Sequence, residues 1–453
     1  MSARPQKPTP PIGAAPKAHY RSVRPIDHDR PHPLYVVWEI TLACDLGCKH
    51  CGSRAGHART TELTTQECLD VVRQLDEIGV REVTLIGGEA YLREDWDRIA
   101  ADITRRGMAC GITTGARNLT DERVRRAVDA GVQSISISID GLERTHDAQR
   151  GAKGSWRAAF DAAERVTATP MRLATNTQIN RLSLPEIPAL ASMLADVGSK
   201  AWQIQLTVPM GRAADRPQML LQPYELTVVY PLLVNVKQTR LDPGGVALYP
   251  GNNIGYFGPY EAALRYGGDR GAHWGGCPAG KWSIGLEADG KIKACPSLPS
   301  STFTGGLTTE MSVAEAIANT QELTYVKDRG RRDLWGHCQT CYYADVCKAG
   351  CTWTSQVFMG RPGNNPYCIY RAMELEKRGV RERFERISAA PGVPFDQGRF
   401  RLIEEPLETV ESIAGHSVEA VMTLDWRSGG IWEAEEIKAL LAAQAGRLPV
   451  LAP

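Results

Sequence analysis

The chain has 453 residues, 43% of them hydrophobic, enough to bury a full core in one large domain with a smaller one beside it. Fifty-three basic and 52 acidic residues leave a formal charge of +1, which excludes the broad basic surface that nucleic acid or an anionic membrane selects. Residues 1–33 carry no apolar stretch, and no later run reaches the ~18 apolar residues of a spanning helix, so a cytoplasmic protein without a secretion signal is expected.

Residues 1–33 read as an N-terminal extension. From residue 34 to about 211, short β-branched runs alternate with longer amphipathic stretches, the signature of βα units around a parallel sheet. Strands are expected at 35–41, 82–86, 109–113, 133–139, 171–177 and 201–207. Between the first two lies a helix at 64–78, with Thr64 as its cap and Val71, Val72, Leu75 and Ile78 at helical spacing. Six such units make the fold class α/β, a partial (β/α)6 TIM-like barrel over 34–215. A bridging region, 216–275, holds a helix at 225–239 and a Gly/Asn/Tyr-rich ordered loop at 249–260. Next comes a small cysteine-rich α+β segment, 276–388, with few long periodic runs, as expected where metal clusters replace an apolar core. The tail, 389–453, offers one helix at 433–445 and no interpretable motif.

Twelve cysteines in a reducing compartment point to metal rather than disulfides. Cys44-x3-Cys48-x2-Cys51 follows the first strand, on a loop at the C-terminal mouth where barrel enzymes place their chemistry. Three thiolates can hold a four-iron cluster with one iron open, whereas zinc more often takes four ligands. Later in the chain Cys277-x12-Gly290-x4-Cys295 precedes a gap of 42 residues, then Cys338-x2-Cys341-x5-Cys347-x3-Cys351 and, after 16 more, Cys368. Cys68 and Cys110 stand apart and read as core thiols, with a hydrogen-donating role as the alternative.

The segments WEITLACDLGCKHC and LIGGEAYL resemble the radical S-adenosylmethionine (SAM) superfamily, over about residues 35–210. The resemblance implies that Cys44, Cys48 and Cys51 are the catalytic cluster ligands. Their open iron chelates SAM, whose reductive cleavage yields a 5′-deoxyadenosyl radical that abstracts hydrogen from substrate. It also implies SAM contacts from Gly87, Gly88 and Glu89 at the methionine amino group, from Ser138 and Asp140 near the methionine or ribose, and from Arg150 at the carboxylate. Gln205 meets the adenine or ribose, or else packs as a core glutamine. The later cysteines resemble the SPASM domain, which binds two auxiliary four-iron clusters. By that likeness Cys277, Cys295 and Cys351 hold the first and Cys338, Cys341, Cys347 and Cys368 the second, for three clusters in all. The first is one thiolate short, because CPAGKWSIG lacks the extra cysteine of some relatives. Its fourth iron is either open or held by an oxygen or nitrogen donor.

The implied function is maturation of a ribosomally made peptide by crosslinking or another side-chain change. A separate leader-binding protein and a flavodoxin- or ferredoxin-like electron donor are the expected partners. Maturation of a small redox cofactor, tetrapyrrole or peptide-derived, is the alternative, and a non-catalytic iron-sulfur or zinc scaffold a third. Sulfatase maturation fits less well, since Pro296 follows Cys295 where those relatives carry an acidic residue. Tyr249, Tyr256, Tyr260 and Trp274 line a substrate channel or simply pack.

Overall fold

The computed structural model describes residues 21, 23–29, 32–255, 257–265 and 274–407. Tyr256, the expected helix at 433–445 and most of the N-terminal extension lie outside the described residues. The six expected strands are present as β1 Tyr35–Glu39, β2 Glu82–Ile86, β3 Ala109–Thr114, β4 Ser134–Ser138, β5 Arg172–Ile179 and β6 Ala201–Leu206. They pair in parallel in chain order. Alternation decides which side of each strand is apolar: Ile135 and Ile137 enter the core under the helices, while Ser134, Ser136 and Ser138 take the interior face of the barrel. The helix Thr65–Glu77 begins in a capping box between Thr64 and Glu67 and buries Cys68, Val71, Val72 and Leu75 against the sheet. Cys110 on β3 is likewise buried in that core, so both isolated cysteines serve packing.

The sheet extends beyond the six strands at both edges. β7 Ala247–Pro250 adds in parallel to β6. On the other side β8 Ser283–Leu286 pairs in parallel with β1, and β9 Lys291–Lys293 and β10 Thr304–Leu307 follow antiparallel. The ten strands among the described residues lie in the linear order β10-β9-β8-β1-β2-β3-β4-β5-β6-β7, a partial barrel with open edges. Tyr249, expected in a loop, thus stands in a strand. A four-residue strand is too short to show periodicity, and β6 supplies the pairing that creates it. The cysteine-rich segment likewise continues the barrel's own sheet through β8. The expected 225–239 helix is Leu226–Val236, running on as a π-helical turn, Lys237–Leu241.

After the cysteine-rich helices, β11 Val380–Ser388 and β12 Arg399–Pro406 form an antiparallel pair. Their sequences alternate Arg and Glu where a strand usually alternates with apolar residues. Cross-strand ion pairs replace that pattern: Glu405 takes Arg381 at 2.9 Å and Arg383 at 2.8 Å. Phe384 anchors the hairpin by stacking on Phe358, with ring centroids 3.8 Å apart. No helix among the described residues is long and apolar enough to cross a membrane.

A buried ion network locks the extra strands to the barrel. Arg59 Nη2 lies 2.8 Å from Glu39 Oε1 on β1 and 3.1 Å from Glu287 Oε2 beyond β8. Lys293 on β9 is fully buried, with Nζ 2.5 Å from Glu287 Oε1 and 2.8 Å from the Leu298 carbonyl. Burial pushes the Glu39 carboxyl up to about 7 against the pull of Arg59. Lys293→Met, which takes the cation from Glu287 Oε1 and leaves Arg59 to serve both Glu39 and Glu287, is expected to cost about 3 kcal/mol in denaturant unfolding. Adding Glu287→Leu should recover most of that loss, and a double variant no more stable than the single would contradict the network's role.

Candidate functional site

The ends of four strands meet at the barrel mouth. β1 leads into the loop of Cys44, Cys48 and Cys51, β2 into Gly87-Gly88-Glu89, β4 into Asp140, and β6 into Met210–Arg212. The cysteine loop has little regular structure, so its shape comes from braces. Cys44 N donates to the Gly56 carbonyl at 3.0 Å. Arg212 donates to the Cys48 carbonyl at 2.7 Å and to that of Ala55 at 2.9 Å. Arg54 grips Asp215 with two bonds of 2.7 and 2.8 Å and Asp396 with a third of 2.7 Å.

Gly87 and Gly88 form the inner brace. Gly88 N donates to the Thr41 carbonyl at 2.8 Å, and Glu89 N to that of Ala43 at 2.7 Å. A Cβ on Gly87 would collide with the Thr41 carbonyl oxygen, and one on Gly88 with the carbonyls of Leu42 and Ala43. These glycines are therefore required first by the backbone of the cysteine loop.

Cys48 is buried and Cys44 and Cys51 are half-buried. Burial pushes the Cys44 thiol up to about 12, and it raises Cys48 too, although Arg150 pulls that thiol down. A bound cation reverses such a preference by drawing the thiolate to itself. Arg150 Nη1 lies 3.6 Å from Cys48 Sγ, and its Nη2 lies 2.6 Å from Asp140 Oδ2. The same carboxylate oxygen is 3.0 Å from His50 Nε2. Burial works against the charge of Asp140, but Arg150 and His50 outweigh it and hold the carboxyl well below the usual carboxylate range. Glu89 is fully buried and raised to about 8 by that burial, while its Oε2 accepts from Gly115 N at 2.9 Å.

Glu89 Oε1, His50 Nδ1 and Arg150 Nε are buried without hydrogen-bond partners. An acceptor, an imidazole nitrogen and a cationic donor left unsatisfied beside three thiols fit a metal cluster carrying a ligand of both charges. The structure thus brings Cys44, Cys48, Cys51, Glu89, Asp140 and Arg150 together. Ser138, bonded to Asn176 at 2.9 Å, and Gln205, half-buried on β6, sit on the barrel's strands rather than in that group.

The later cysteines gather in two further places. Cys277, Cys295 and Cys351 are close enough to act on one another: burial first, then its neighbours, pushes Cys295 up to about 12 and Cys351 to about 11. Cys338, Cys341, Cys347 and Cys368 line one pocket with Phe257, Tyr343 and Arg371. Among the described residues, no three His, Cys, Asp or Glu side chains converge as they would around a single ion. Gly290 makes the turn between β8 and β9 at φ 85°. Of the aromatic group, Trp274 is buried beside Cys351 and donates to Asn252 at 3.2 Å, whereas Tyr249 is exposed.

Sequence reasoning missed His50, Arg54, Arg212 and Asp396. His50 sits inside the cysteine motif and Arg212 just past a strand end at the mouth, so both were open to notice. Asp396 lies in the tail, where no local pattern marks it.

Residues 38–178 match the family model described as the radical SAM superfamily. Curated relatives include AdoMet-dependent heme synthase of Methanosarcina barkeri, 28% identical over 359 residues, covering 75% of this chain and 97% of that one. Mycofactocin maturase MftC of Mycolicibacterium smegmatis is 26% identical over 370 residues, covering 80% and 90% respectively. The crystal structure of Streptococcus suis SuiB bound to precursor peptide SuiA shares the fold with a TM-score of 0.57, over 75% of each chain at 15% identity.

Gly88→Ala should cost about 1–3 kcal/mol by overpacking and lower the iron retained after anaerobic reconstitution. Gly47→Ala, in the same loop but with nothing within 4 Å of the added Cβ, should change stability by no more than about 0.5 kcal/mol. Equal effects from the two would refute the bracing role of Gly88.

Proposed function

The chain is a radical SAM enzyme with a SPASM-type C-terminal extension, and on that premise we propose that it modifies a side chain of a ribosomally made peptide. The observation that carries this reading is the gathering of ten thiols into three separate places, one at the barrel mouth and two beyond it. We assign Cys44, Cys48 and Cys51 to the SAM-binding cluster, Cys277, Cys295 and Cys351 to one auxiliary cluster, and Cys338, Cys341, Cys347 and Cys368 to another. When bound, SAM and the first cluster supply a radical able to take hydrogen from an unactivated carbon.

The protein's own part is orientation and shielding. Glu89 Oε1, a buried acceptor, is suited to the SAM amino group, and the Arg150 guanidinium to its carboxylate. Gly87 and Gly88 hold the loop while His50 and Asp140 set the pose of Arg150. Ser138 and Gln205 offer polar groups from the barrel wall for the ribose or adenine. Residues 34–215 form the catalytic barrel in this reading, 216–275 the bridge and 276–388 the auxiliary-cluster segment. Reduced thiols suit the cytoplasm, where a small flavodoxin- or ferredoxin-like protein would deliver the electron and a separate protein would present the peptide leader.

Peptide substrates are favoured by the mycofactocin maturase likeness over most of both chains. The heme synthase relative favours a second reading, oxidation of a small redox cofactor. Anaerobic incubation with SAM, reductant and any short peptide encoded beside this gene separates them by mass spectrometry. A product lighter by a pair of hydrogens supports peptide crosslinking. An unmodified peptide, with turnover only on a tetrapyrrole, would overturn the peptide reading. Arg150→Lys should weaken SAM binding by about 10- to 100-fold in anaerobic equilibrium dialysis, since one cationic donor cannot replace the fork. Unchanged affinity would remove Arg150 from the SAM site.

A further inference from the structure

The first auxiliary set holds three thiols where four donors complete a four-iron cluster. The helix Gln321–Asp328 packs beside it. Its Leu323 carbonyl lies against Gly280, three residues after Cys277, so closely that a Cβ there would strike it. Gly280 N in turn donates to the Ala294 carbonyl at 3.1 Å, next to Cys295. Four residues along the helix from Tyr325, Arg329 Nη1 donates to Thr352 Oγ1 at 3.1 Å, next to Cys351. The helix is thereby fixed to the neighbours of all three cysteines.

Tyr325 projects from this helix with its hydroxyl buried, beside the Thr352 side chain but in no well-formed hydrogen bond, and it lies within electrostatic reach of Cys277 and Cys295. A buried phenol normally makes a full hydrogen bond, so one that lacks it beside two of the three thiols calls for a further partner. The hydroxyls of Thr354 and Ser355 are buried and unpartnered too. Thr354, however, stands at the Cys351 thiol and stabilises its charged form, and a phenol ionises far more readily than an aliphatic hydroxyl.

We propose that Tyr325 supplies the fourth donor of the first auxiliary cluster through its phenol oxygen. This rests on the assignment of Cys277, Cys295 and Cys351 to a cluster. Ligation forms one iron–oxygen bond and breaks the phenol O–H bond, the proton leaving to solvent, with no change in oxidation state. The buried guanidinium of Arg329 offsets the phenolate charge. A cluster closed in this way has no site for substrate, which leaves it the role of electron carrier.

Resonance Raman spectra of the anaerobically reconstituted full-length protein provide the test, in parallel with iron counts. Wild-type protein should show iron–phenolate ring modes that shift when the protein is made with ring-deuterated tyrosine. Tyr325→Phe should lose those modes and gain a cyanide-binding iron visible by electron paramagnetic resonance. Tyr325→Cys should lose them as well, yet hold its irons and bind no cyanide, because a thiolate closes the site. Phenolate modes absent from wild type, or still present in Tyr325→Phe, would overturn the proposal. If Tyr325→Phe loads no first auxiliary cluster, Tyr325→Cys decides: retention supports the proposal and loss contradicts it. A wild-type protein holding only roughly four irons per chain would instead defeat the auxiliary-cluster assignment itself.

Discussion

The buried network of Glu39, Arg59, Glu287 and Lys293 joins two parts of the chain more than two hundred residues apart in sequence. Each charge sits where an uncompensated ion would be strongly disfavoured, so each needs its neighbours in place. Glu39 precedes the cysteine triplet on β1, Arg59 follows it, and Lys293 precedes Cys295. The register of β1 with β8 and this network together fix the Cys44–Cys51 loop relative to Cys295. Disturbing one end therefore disturbs the frame of both.

A second constraint is electrostatic. Burial raises most of the gathered thiols above their ordinary range, so without metal the sites favour neutral sulfur. A cluster supplies the positive charge that makes thiolates the better form. Arg150 beside Cys48, and Arg371 at the wall of the four-cysteine cavity, contribute fixed cations to the same end. Cationic side chains thus prepare these two sites for an anionic sulfur set, while at the barrel mouth the bonds of Arg54, Arg212 and Gly88 hold the cysteine loop in shape.

Much of this was legible in the residues. Short β-branched runs marked all six barrel strands, and Thr64 as a cap marked the helix after β1, because each signal is local. β7 to β10 and the β11–β12 hairpin escaped because their strandedness comes from partners. Ala247–Pro250 is four residues long, and Val380–Ser388 carries charges where alternation with apolar residues is usual. At the site, cysteine spacing located the triplet and the seven later thiols. Spacing says nothing of a third dimension, so the grip of Arg54 on Asp396 across 342 residues, the Gly87-Gly88 contact with the cysteine-loop backbone and the buried hydroxyl of Tyr325 emerged only from coordinates. The glycine pair shows the difference well: the resemblance implies SAM contact there, and the coordinates add that its nearest neighbours are the carbonyls of residues 41–43.

We assign the start of the radical chemistry to the three thiols at the barrel mouth and not to the seven others. The most direct measurement is 5′-deoxyadenosine formation from SAM by anaerobically reconstituted protein under dithionite, comparing wild type with a Cys44→Ala, Cys48→Ala, Cys51→Ala triple variant. Formation by wild type and its abolition in the triple variant, with the iron of the other seven cysteines retained, is the predicted result. A triple variant that still cleaves SAM reductively would contradict the account.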